Sequence, residues 1–121
     1  MVKVSDKILT LDSQINLALI VHSLKKYSKK LIDENNLVDK SRPLNTSLNK
    51  LDEFIRLLGI ETFDYTGQKY NEGMNVIIVD TVKTDTTVDI IRETIEPTVI
   101  IDGNLVKKAR VIKEINGGNN E

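Results

Sequence analysis

The sequence predicts an α+β chain in which a pair of amphipathic helices is followed by a small antiparallel β-domain. Three observations carry this expectation. Apolar residues recur at three- and four-residue spacings as far as Leu58, the signature of a helix face. Gly59 then interrupts the pattern directly after its last member. From there to Ile115 the chain holds runs of Val, Ile and Thr of strand length, separated by the turn-forming stretches TDTT and DG. The boundaries expected are a helical hairpin over residues 1–59, a β-domain over 60–115 and a disordered tail over 116–121, where NGGNNE has nothing to bury.

The first helix is expected from about Leu11 to about Asn36. Leu11, Ile15, Ala18 and His22 share one row, Leu17, Val21 and Leu24 the next, and Ile20, Tyr27, Leu31 and Ile32 extend the apolar face. Lys25, Lys26, Lys29 and Lys30 gather in its second half, where positive charge suits a helix C-terminus and a solvated face is the ordinary reading. The stretch DENN marks the exit, because Asp and Asn compete for backbone hydrogen bonds. Residues 37–43 connect, with Pro43 disfavouring a helical Arg42. In the second helix Leu44, Leu48, Leu51, Ile55 and Leu58 follow steps of four, three, four and three, the a/d repeat of a helix lying along another. Gly59 is its natural C-cap. Two apolar faces this broad leave surface uncovered. The expectation is a homodimer built as a four-helix bundle, with Leu17, Val21, Leu24, Leu44, Leu48, Leu51 and Ile55 at the interface.

Beyond Gly59, IETF reads as a short strand, Tyr65-Thr66-Gly67 as a turn, and Tyr70 to Gly73 as a loop feeding the Val76–Val82 strand. Asp102-Gly103 asks for a two-residue hairpin turn. A sheet this small cannot hide its apolar residues alone, so it is expected to lean on other elements.

Composition narrows the function classes. With 121 residues the chain suits one folding unit. Seventeen basic against 18 acidic residues give a net charge of −1, which provides no field to gather nucleic acid or an anionic membrane. The absence of cysteine excludes disulfides and thiolate metal sites, and with no signal-like or spanning segment the expected compartment is the cytoplasm. No catalytic constellation stands out, and neither a metal nor a cofactor is expected. His22 lacks an acidic residue three or four positions away, Asp80, Asp85 and Asp89 lack the glycine and closing glutamate of a calcium loop, and Gly117-Gly118 opens no helix that could cradle phosphate.

From about Leu51 onward the chain resembles the C-terminal part of GrpE, the nucleotide exchange factor of Hsp70-type (DnaK) chaperones. The segment LDEFIRLLGIE resembles the family's helix that closes before its β-domain, and Tyr70-Asn71-Glu72-Gly73-Met74 sits where the family has its D-P-x-x-H-E/Q-A turn. The stretch Asp102 to Val111, DGNLVKKARV, resembles the family's closing hairpin. Lys107 stands in place of an arginine there and Lys108 in place of a proline, and about ten residues precede the first helix where the family has a long paired helix.

The resemblance implies a β-domain that docks on an Hsp70/DnaK-type ATPase domain and favours its open nucleotide cleft, so that ADP leaves faster without covalent chemistry. The partner-binding residues it implies are Tyr70, Glu72, Met74, Asp102, Gly103, Asn104, Leu105, Lys107 and Lys108. For Met74 the plain alternative is a gap-filling core residue, and for Lys107 a solvated strand residue. The rival function is a dimeric adaptor or assembly module of GrpE-like shape without exchange activity.

Overall fold

The structure, a computed structural model, describes residues 10–118. In chain order these form α1 (Leu11–Glu34), a 3-10 turn (Val38–Lys40), α2 (Arg42–Leu57) and six strands. The strands are β1 (Ile60–Phe63), β2 (Val76–Thr84), β3 (Ile90–Glu96), β4 (Thr98–Ile101), β5 (Asn104–Lys107) and β6 (Ala109–Asn116). Helices first and strands after give the α+β class. The chain divides into two compact units, Met1–Glu61 with Ile100–Asn104, and Thr62–Val99 with Leu105–Glu121. The sequence pattern places a single break at Gly59; in the structure Ile100–Asn104 groups instead with the helices.

In the first unit, each helix end has a local cause. Thr10 caps α1, its hydroxyl accepting from the Ser13 amide at 3.1 Å. At the other end Asn36 takes φ 55°, and the Leu37 amide reaches back to the Ile32 carbonyl at 2.9 Å, closing a Schellman turn with Asn in the usual glycine place. Helix α2 starts two residues earlier than its apolar repeat. Pro43 lies in its first turn rather than before it, where a missing amide costs nothing, so Arg42 is helical. Ser41 ahead of it is buried and donates to the Val38 carbonyl at 2.8 Å. Past the end of α2, Gly59 has φ 80°, and its carbonyl accepts from the Asp102 amide at 2.8 Å. A Cβ at Gly59 would lie 2.1 Å from the Asp102 carboxylate, so glycine is demanded by space as well as by φ.

The helices pack on one another. Ala18, Val21 and Ile32 of α1 and Ile55 of α2 are buried, and Lys25 pairs with Asp52 across the two helices. Complete burial of an aliphatic side chain such as Val21 or Ile55 stabilises by about 1.5–3 kcal/mol.

In the second unit β6 is the middle strand of the order β2-β6-β3. It pairs antiparallel with β3 (Thr94 opposite Val111) but parallel with β2 (Val76 opposite Ala109, Thr84 opposite Asn116). The expectation of an antiparallel β-domain is therefore corrected to a mixed sheet, accompanied by a second sheet of order β1-β4-β5. The reason is burial. Ala109 and Val111 are fully buried, so β6 takes the centre and separates β2 from β3, which would otherwise have closed a hairpin through TDTT. The ends of β2 and β6 are tied together. The Gly117 amide donates to the Thr84 carbonyl at 2.7 Å and the Asn116 side chain to the Thr86 carbonyl at 2.9 Å. The first residues assigned to a tail, Asn116 and Gly117, are thus held against β2 and its turn, while residues 119–121 lie outside the described residues.

The core of this sheet is Ile91, Ala109 and Val111, with Tyr65, Tyr70, Met74 and Val76 packed against it. Thr94 is buried there with both its hydroxyl and its amide satisfied: the hydroxyl accepts from the Tyr65 amide and the amide donates to the Thr66 hydroxyl, each at 3.0 Å.

Candidate partner-binding surface

The tightest geometry among the candidate residues is the turn between β4 and β5. Asp102 has φ 51° and Gly103 φ 83°, the pair of positive values that defines a type I′ hairpin. Both residues are exposed, as is Asn104 beside them, although the Asp102 carboxylate lies over Gly59. Leu105 follows and is 44% exposed.

Tyr70 and Met74 sit differently. Each is half-buried against the Ile91, Ala109 and Val111 cluster, so Met74 fills a gap in the core, as its plain alternative has it. The Tyr70 amide donates to the Asp89 carbonyl at 2.9 Å, and the Lys113 ammonium stands 4.3 Å from the centre of its ring. Glu72 projects from the intervening loop, where the Asn71 side chain accepts from the Gly73 amide at 2.9 Å and holds the turn. That loop is fastened to β3 at its start. Gly67 donates to the Ile91 carbonyl and Ile91 to the Gln68 carbonyl, both at 2.8 Å, which covers part of the outer edge of β3, whereas among the described residues no strand pairs with the other side of β2.

The two lysines part company. Lys107 is half-buried and pairs with Glu96 at 3.0 Å, with Arg110 also facing that carboxylate at 3.7 Å. Lys108 is exposed at the break between β5 and β6. The next residue, Ala109, is fully buried and its amide donates to the Thr98 hydroxyl at 3.1 Å, which fixes the backbone around Lys108.

The structure thus gathers Tyr70 and Met74 at one core, sets Lys107 with Glu96 and Arg110, and assigns Asp102 to Asn104 to the helical unit. Sequence reasoning passed over Glu96, whose carboxylate two cations share; a lone Glu before a Pro gives no periodic signal. It also passed over Ile77, Ile78 and Val79, which are all exposed on β2. The register shift between Ile78 and Asp80 explains how three successive apolar residues escape alternation.

Of the residues proposed for a dimer interface, Val21 (2% exposed) and Ile55 (3%) are spent inside one chain. Leu17, Leu48 and Leu51 are half-buried, while Leu24 and Leu44 are exposed. Among the described residues no group of three or more His, Cys, Asp or Glu could hold a metal ion, and no helix is long and apolar enough to cross a membrane.

Neither a protein-family model nor a curated protein matches the chain.

Proposed function

We propose that this chain is a GrpE-like nucleotide exchange factor, working in the cytoplasm on an Hsp70/DnaK-type ATPase by binding alone. The observation that carries the reading is the ordered series of local features: a helix closed at Gly59 with positive φ, then the Tyr70–Met74 loop, then the Asp102-Gly103 type I′ turn running into Lys107 and Lys108. These follow the order of the motifs on which the resemblance rests. A tight turn and exposed side chains on small sheets suit docking rather than chemistry.

The mechanism would be linkage. A factor that binds the open, nucleotide-free form of an ATPase more tightly than the closed form must itself be bound less tightly when nucleotide is present. Lys108, with the Asp102 to Leu105 turn, offers exposed groups for such a contact, whereas Lys107 acts through the Glu96 pair it already makes.

The test is to load an Hsp70-type ATPase domain with fluorescent ADP, add the protein and follow release. Faster release is expected, together with weaker binding when ADP or ATP is added. No binding, or binding indifferent to nucleotide, removes the exchange-factor reading and leaves a dimeric adaptor or assembly module of the same shape.

A further inference from the structure

Strand β2 is nine residues long and lies at the side of its sheet. Its neighbour β6 takes up one edge, and among the described residues no strand pairs with the other. In a strand, alternate residues turn their N–H and C=O groups to one edge and the rest to the opposite one, so β2 keeps a row of backbone donors and acceptors outside the sheet. The other outer strand differs. The edge of β3 is partly covered, by the hydrogen bonds of Gly67 and Gln68 to Ile91 and by the bridge of Lys69 to Ile90.

The side chains along β2 are open as well. Residues 77–81 are exposed without a break, and Ile77 (45%), Ile78 (37%) and Val79 (40%) are apolar. Successive side chains leave a strand on opposite faces, so this apolar run is bare on both sides of the sheet. We infer that β2 receives an extended peptide segment of another protein as an added strand, with apolar residues beside Ile77 to Val79 and a Lys or Arg opposite Asp80. The inference goes beyond the exchange-factor reading and does not depend on it.

Two features choose the occupant. A bare edge offers hydrogen bonds at strand spacing, which only an extended backbone returns in register, and the apolar side chains of the added strand then cover Ile77 to Val79. The second feature is charge. The Asp80 carboxylate accepts from the Thr81 amide at 2.8 Å, which fixes it beside the strand, and among the described residues no ion pair engages it. A cation on the added strand therefore finds an unopposed carboxylate. Lys83, the other charge on β2, lies beyond the apolar run.

A second copy is the poorer occupant. Asp80 is the middle residue of Val76–Thr84, so an antiparallel two-fold pair of β2 strands sets Asp80 directly opposite Asp80, where like charges destabilise. The register shift between Ile78 and Asp80 also bends the edge, and such a bulge spoils the fit of a second preformed sheet but not of a flexible peptide.

The test titrates the full chain into a short fluorescein-labelled peptide of alternating Val and Thr with Lys at its centre, read by polarisation. Saturable binding is expected. The same peptide with Glu at its centre should bind about threefold more weakly. One with Pro in place of each Thr lacks alternate amide donors and should not bind. Asp80→Lys should reverse the preference between the two charged peptides, a gain that misfolding cannot produce. Val79→Lys should abolish binding of both with unchanged circular dichroism. No binding of the Lys peptide, or equal binding of the Pro peptide, overturns the proposal. Self-association of the full chain that Val79→Lys abolishes would assign the edge to a second copy and overturn it too.

Discussion

Helices α1 and α2 look alike as sequence patterns and end in different circumstances. In α2 Ile55 is buried at 3% exposure and Leu48 and Leu51 are half-buried, while Leu44 (43%), Phe54 (56%) and Leu57 (84%) stay exposed. Helix α1 is apolar around more of its circumference, and its second stripe of Ile20, Leu24, Tyr27 and Leu31 remains in water. The difference teaches that a helical repeat announces burial without naming the partner. Val21 and Leu24 are three residues apart in the same row, yet one is inside and the other outside.

The strongest way to break the comparison is to put the same charge on both kinds of stripe. Ile55→Asp buries an unpaired carboxylate in the helix pair, so a loss of about 3–5 kcal/mol is expected, enough to melt the helices in a denaturant titration. Leu24→Asp, made on the exposed stripe, should leave the stability read from the same titration within about 0.5 kcal/mol of the parent. Equal losses at the two sites would mean that the stripes do not differ.

Two glycines sharpen the picture at the next level. Gly59 and Gly103 have nearly equal positive φ, 80° and 83°, but a Cβ at Gly59 meets the Asp102 carboxylate while one at Gly103 meets nothing within 4 Å. Gly103→Ala should cost only the left-handed penalty of about 1–2 kcal/mol. Gly59→Ala must also displace Asp102, so its cost should be larger by a further 1 kcal/mol or about that. Asp102→Ala alone has its own cost, since Asp102 sits at φ 51°, but with the carboxylate gone the further change Gly59→Ala should cost only the left-handed penalty. An equal cost of Gly59→Ala with and without the carboxylate would place the penalty in φ alone.

These sites also show what could be read from the sequence. Local geometry was legible: the Gly59 cap and the Asp102-Gly103 turn need particular backbone angles, and only a few residue types supply them. Pairing was not. Nothing in VIIVDTVKT says that its neighbour is β6, parallel, instead of β3, because that choice depends on which strand is flanked on both edges. The candidate surface divides in the same way. The exposed turn was found from its own residues, while the pairing of Lys107 with Glu96 joins positions 11 apart and required the sheets to exist first.

The smallest expected effect separates the two lysines. Lys107→Gln removes one of the cations on Glu96 and leaves Arg110 at 3.7 Å, so the loss of stability should stay below about 1 kcal/mol, as for other partly solvated pairs. Lys108→Gln touches no ion pair among the described residues and should cost nothing measurable in stability. If Lys108 serves a docked partner, the order reverses in a binding assay with an Hsp70-type ATPase domain. There Lys108→Gln should weaken the complex more than Lys107→Gln, and raising salt should shrink the gap as the exposed charge is screened. Equal losses would assign both lysines to the support of the sheet, and the docking surface would then have to be sought at the Asp102-Gly103 turn.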